Sequence, residues 1–167
     1  TGPSGQVQLL FNDQSAISIG PNARVVIDQF VYNPATGTGQ MAVTLARGTM
    51  RFVGGKISKQ NEVAINTPSA TIGIRGTGLY LEVEPRRTYA CTCYGEVELA
   101  PRDRPQEAET VRTTHHEQPR FIYADGAMPP GSMMQKAPVV NHTDAELTLL
   151  ESLVGRKPPF SGSGYRY

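Results

Sequence analysis

Tryptophan is absent and cysteine nearly so. The 167 residues hold two cysteines, Cys91 and Cys93, and three histidines. One close pair of thiols excludes the disulfide framework of a small secreted scaffold. No apolar run approaches the roughly 18 residues of a membrane-spanning helix. No signal peptide is visible at Thr1-Gly2-Pro3-Ser4-Gly5, so the residues alone do not give the compartment. An excess of charge of either sign is also missing. Sixteen basic and 15 acidic residues leave a net charge of +1, so no strong field draws the chain to nucleic acid or an anionic membrane.

Catalytic signatures are lacking as well. There is no Gly-rich phosphate loop, no nucleophile elbow and no His-Glu-x-x-His. The string "CTCYG" is not Cys-x-x-Cys-His, so covalent haem attachment is not indicated. A cysteine nucleophile served by a distant histidine fits poorly with two cysteines so close together. Asn12 and Asp13 read as turn residues, Asp144 as first-turn helix charge, and Asp28 and Asp125 as scattered acids. The expectation is a protein that is not an enzyme.

What is present is a globular β composition. Hydrophobic residues make up 38% and charged residues 19%, which suits one folded domain and not a disordered chain. Seventeen glycines and 13 prolines, with many Thr and Val, favour short strands between turns. Strands are expected at 6–11, 16–19, 23–30, 41–46, 49–53, 63–66, 71–74, 79–83 and 89–99, with two more at 110–114 and 121–123. Asn12-Asp13 and Gly20-Pro21-Asn22 are strong turn signals. The fold class is therefore mainly β: stacked strands as in a short β-helix, or a sandwich. Residues 101–109 read as a loop and 126–138 as a surface linker. One helix is expected at 144–154. Thr143 caps it, Glu146 closes a capping box, Leu147, Leu150, Leu153 and Val154 line one face, and Gly155 and Pro158 end it.

Two segments share Arg-Gly-Thr followed by alternating apolar residues: "ARGTMRFV" (46–53) and "IRGTGLYLEV" (74–83). Together with "DQSAISIGPNARVVI" (13–27), "INTPSATIGIRGTGLYLEV" (65–83) and "GEVEL" (95–99), they make residues 6–100 resemble the FecR-type domain. Thr-Pro-x-Ala-x-x-Gly-Ile-Arg-Gly-Thr is the most specific string. The resemblance implies an exported, usually periplasmic domain whose relatives include the periplasmic part of anti-sigma regulators. A protein partner in the cell envelope is expected from it. The resemblance also implies stacked turns and strands akin to a short β-helix. No membrane span and no sigma-binding region are seen here, so the chain reads as less than a complete regulator. The "CTCYG" string and everything beyond residue 100 lie outside the common pattern. The division expected is a FecR-like β-domain at 6–100, a C-terminal extension at 101–160 packed on it, and a flexible tail at 161–167. In the Arg-Gly-Thr string, Gly73 and Gly76 permit backbone that a Cβ would oppose. Arg75 reads chiefly as a turn-holding residue, with a ligand-reading role as the alternative.

The remaining signal is a ligand set. Cys91 and Cys93 lie two apart on a strand and so share a face. Their Cα atoms are then about 6.6 Å apart, poorly placed for a disulfide and well placed for one metal ion. His115, His116 and His142 all follow within residues 91–142. Two thiolates with two imidazoles make a closed zinc site or hold a [2Fe-2S] cluster with mixed ligation. Met128, Met133 and Met134 would add ligands for cuprous copper. The alternatives are a Cys91–Cys93 disulfide or two inert buried thiols. Two functions stand side by side: a binding or sensing domain holding a metal centre, and a structural or interaction domain of the envelope without one.

Overall fold

A computed structural model of the chain describes residues 1–127 and 130–162. Met128 and the last five residues of the expected tail lie outside the described residues. Ten strands form one open sheet: β1 (Val7–Leu10), β2 (Ala16–Ile19), β3 (Arg24–Asn33), β4 (Thr38–Val53), β5 (Val63–Asn66), β6 (Ala70–Glu84), β7 (Arg87–Pro101), β8 (Glu109–Thr113), β9 (Arg120–Tyr123) and β10 (Met134–Lys136). The main path runs β1-β2-β4-β5-β6-β7-β9-β10, with β3 beside β4, β8 beside β7, and β4 also against β6. A short helix, α1 (Ile57–Gln60), and a longer one, α2 (Asp144–Leu153), complete the fold. The mainly β expectation with one principal C-terminal helix therefore holds.

Two strands each join segments that the sequence divides. The segments expected at 41–46 and 49–53 are one strand, as are those at 71–74 and 79–83. The glycines between them bend the chain without ending it. Gly48 and Gly76 both take positive φ, +85° and +61°. Gly76 sits in a bulge of the β6–β7 ladder, where glycine relieves the strain of a left-handed residue. Gly73 is ordinary strand, paired with Ala64 and Glu98. The two Arg-Gly-Thr units pair with one another, antiparallel, from Gly48 opposite Val83 to Val53 opposite Gly78. Arg75 reaches the Glu62 carboxylate at 3.7 Å on the exposed surface.

A Cβ at Gly76 would meet nothing within 4 Å, so a substitution there acts through the backbone alone. Gly76→Val is expected to destabilise the protein by more than about 1 kcal/mol, read as a lower denaturation midpoint. A variant melting with the parent would show that the bulge tolerates a side chain.

The main core lies on one face of the sheet. Ile17, Leu45, Met50, Phe52, Ile65, Ile72, Leu79, Leu81 and Leu99 are buried there. A second, smaller cluster covers the opposite face of β2, β4, β6 and β7. It joins Ala16, Val53, Tyr80, Tyr89, Cys91 and Cys93 to Leu147 and Leu150 of α2. Because both faces are covered there, the run Thr88–Cys93 is buried throughout, where a one-sided strand would alternate. Thr88, Ala90 and Thr92 point one way, Tyr89, Cys91 and Cys93 the other.

The C-terminal stretch departs from its expected loops in two places. Pro105–Glu107 is a turn of 3-10 helix. Met134–Lys136, expected within a linker, is a strand against β9. The segment Met-Gln-Lys has no β-branched or aromatic residue and lies in a Gly- and Pro-rich stretch, so it carries no strand signal. Helix α2 keeps its predicted ends. Thr143 Oγ1 accepts from the Glu146 N–H, and the Glu146 carboxylate accepts from the Thr143 N–H. At the other end Gly155 has φ +72°. The N–H of Gly155 donates to Ser152 O and that of Arg156 to Glu151 O, a Schellman termination.

Candidate metal centre

Cys91 and Cys93 occupy the part of β7 that neither β8 nor β9 covers. β8 pairs with Gly95–Leu99 and β9 with Arg87–Ala90. The β8–β9 connection spans the gap and carries His115 and His116 over the sulfurs. Its backbone is held by the His116 N–H donating to Cys93 O at 3.1 Å and Thr113 Oγ1 donating to Thr92 O at 2.7 Å. His116 itself has φ +61°. Glu117 ties the turn together by accepting from the Thr114 and His115 N–H groups at 2.9 and 3.0 Å and from the Thr114 hydroxyl. Burial would raise its carboxyl, but these bonds outweigh it and bring the group down to about 2.

His142 arrives from the other side, just before the α2 cap. Its ring stacks on Tyr80 with centroids 4.3 Å apart. The donor atoms of Cys91, Cys93, His116 and His142 all lie within 4.8 Å of one another. His116 Nδ1 is 3.2 Å from Cys91 Sγ and 3.2 Å from His142 Nε2. Both thiols are fully buried and His116 is 3% exposed, so the group is closed to solvent on the sheet side.

The outer nitrogens of both imidazoles face oxygen acceptors. His116 Nε2 is 2.9 Å from Asp144 Oδ1, and His142 Nδ1 is 2.5 Å from Val140 O. His115 is not in the four-residue group. Its Nε2 is 2.9 Å from the other Asp144 oxygen, so one carboxylate gathers both neighbouring histidines. His115, His116 and Asp144 form a second cluster of possible ligand atoms.

Charge around the sulfurs is arranged to favour one thiolate. The hydrogen bond to Cys93 and then burial push the Cys91 thiol up. Burial would raise Cys93 too, but hydrogen bonds from Cys91, His116 and His142 overcome it and hold Cys93 well below an ordinary thiol. Against desolvation, the bond to Cys93 and the Asp144 carboxylate raise His116. Arg51 adds a buried guanidinium, with Nη1 4.0 Å from Cys93 Sγ and Nη2 3.1 Å from Glu146 Oε2.

Sequence reasoning missed Asp144 as a partner of the histidines, because its place in the first turn of α2 already accounts for a carboxylate there. Arg51 and Glu151 were missed too. Glu151 is buried on the helix, accepting from the Tyr94 hydroxyl and from Arg156 Nε. Both belong to strings read for their apolar alternation, and a buried partner several strands away leaves no local trace. Met134 packs against the main core, on the face away from the cysteines. Met133 is buried but is not a member of the cluster around them.

The family model described as FecR protein matches residues 1–98. No curated protein matches the chain. Two solved structures of a candidate anti-sigma factor from Parabacteroides distasonis ATCC 8503 share the fold. Their TM-scores are 0.57 and 0.56 at 14% and 13% identity. Each comparison covers 82% of this chain and 57% of that one, so the chain spans a little over half the length of those neighbours. With well over half of its residues inside the family match, the chain belongs to the FecR family.

Proposed function

We propose that this chain is an exported, non-enzymatic sensing domain of the cell envelope, in which Cys91, Cys93, His116 and His142 hold a metal ion or a [2Fe-2S] cluster. One observation carries the reading. Four soft or imidazole donors from three separate parts of the chain converge within 4.8 Å, at the contact between the family-type strands of 6–100 and the extension of 101–160. A closed Cys/His set of this kind is a structural metal site. It offers no open coordination position for a substrate, which accords with a family of regulators. The neighbours' description as an anti-sigma factor supports a protein partner for this domain, and the family's usual setting supports the periplasm. The competing reading keeps the interaction role and replaces the metal by a Cys91–Cys93 disulfide.

Elemental analysis and a thiol count of the purified parent, Cys93→Ser and His142→Ala test this. A stoichiometric metal in the parent, lost in both variants, is the expected result. A parent free of metal, with its two cysteines joined, would overturn the metal reading and leave the interaction domain.

A further inference from the structure

We infer that the site takes a single tetrahedral divalent ion of the zinc class, bound by Cys91 Sγ, Cys93 Sγ, His116 Nδ1 and His142 Nε2, with Asp144 as the residue that positions His116. The inference rests on the metal-centre reading and narrows it.

Contact distances favour one ion over the cluster. In a mixed-ligand [2Fe-2S] centre the two histidines ligate one iron and the two cysteines the other. The bridging sulfides then keep cysteine sulfur and histidine nitrogen apart. Here Cys91 Sγ and His116 Nδ1 are 3.2 Å apart. Around one zinc, with bonds of about 2.0 to 2.3 Å, neighbouring ligand atoms stand roughly 3.3 to 3.8 Å apart. The two contacts of 3.2 Å open by a few tenths of an ångström, and the remaining pairs, all within 4.8 Å, close by about 1 Å at most, to hold that ion. Two irons and two bridging sulfides would instead require the cysteine sulfurs and the imidazole nitrogens, now 3.2 Å apart at Cys91 and His116, to separate onto different metals.

The ring orientations agree. An imidazole ligates through one nitrogen while the other donates to a carboxylate or carbonyl, which fixes tautomer and ring plane. Both rings have this arrangement: His116 Nε2 faces Asp144 and His142 Nδ1 faces Val140 O. The nitrogens left over point inward, His116 Nδ1 to Cys91 Sγ and His142 Nε2 to His116 Nδ1, each at 3.2 Å, and both lie within 4.8 Å of the two sulfurs. Asp144 is in turn oriented by His115 Nε2 on its second oxygen and by the capped first turn of α2. Two thiolates neutralise a divalent ion, Arg51 is paired with Glu146 at 3.1 Å, and the Asp144 carboxylate stands outside the ligand set with an imidazole nitrogen on each oxygen.

The test uses the full chain, freed of metal under reducing conditions and titrated with cobalt(II) and zinc against a competing chelator. One cobalt per chain with the blue-green colour of tetrahedral thiolate ligation is expected. Asp144→Asn is expected to weaken binding by 10- to 100-fold, and Asp144→Glu to recover part of the loss. The cobalt spectrum reads the ligand field directly, which a merely structural role of Asp144 in the helix would leave unchanged. A reddish-brown parent with iron and acid-labile sulfide would overturn the single ion while leaving a metal centre. Unchanged affinity in Asp144→Asn would overturn the positioning role. A parent that takes up neither cobalt nor zinc would defeat this inference together with the reading it rests on.

Discussion

Removing the proposed metal with excess chelator is expected to lower the midpoint of thermal unfolding by roughly 10 °C. An ion that binds only the folded chain, present at 1,000 times its dissociation constant, stabilises by about 4 kcal/mol. In a domain of this size each kcal/mol moves the midpoint by about 2 to 4 °C. The unfolded chain has no assembled site, so binding energy becomes folding energy. The loss should concentrate in the C-terminal layer, because the ligands come from β7, from the β8–β9 turn and from the residue before the α2 cap. Cys93→Ser should reproduce it without chelator and should then show no further response to chelator. A midpoint that ignores chelator in the parent would mean that the layer is held by packing alone.

Leu147→Ala is expected to cost about 2 to 5 kcal/mol, the usual range for emptying a buried leucine site. Leu147 is 0% exposed and packs in the cluster with Ala16, Val53, Tyr80 and Tyr89. That cluster is small and separate from the main core, so the damage should be local. Amide hydrogen exchange should accelerate across Asp144–Leu153 while β4, β6 and β7 keep their protection. The same experiment on Phe52→Ala, in the main core, should loosen the whole sheet. If Leu147→Ala accelerated exchange equally in the central strands, the two clusters would be one cooperative unit.

Much of this architecture was legible because local rules and tertiary structure agreed. The α2 capping box and its glycine stop need only neighbours a few residues apart. β5 and the first half of β4 alternate because one face is buried and the other is not, whereas the centres of β6 and β7 are covered on both faces. Reading failed where tertiary context overrode the local pattern. Gly48 and Gly76 look like breaks, yet each bends a strand that continues, since pairing on both sides holds the chain in the sheet. β10 is three residues long and exists because β9 offers an edge.

The candidate site shows the same division. Residue chemistry and the period of the strand placed Cys91 and Cys93 together and pointed to the histidines beyond them. Spacing alone did not separate His115 from His116, which are adjacent on a turn. The positive φ of His116 and the Glu117 carboxylate that pins the turn decide which ring faces the sulfurs. Helix α2 lies against β2 and β4, where Leu147 and Leu150 join the smaller apolar cluster, while β9 and β10 extend the sheet beyond β7.

The most direct test of the metal centre is native mass spectrometry of the intact, untreated chain. The mass expected is that of the chain with both thiols present as ligands plus one zinc-class ion, falling to the bare reduced chain on acidification. A metal-free chain lighter by two hydrogens, the signature of a Cys91–Cys93 disulfide, would contradict it.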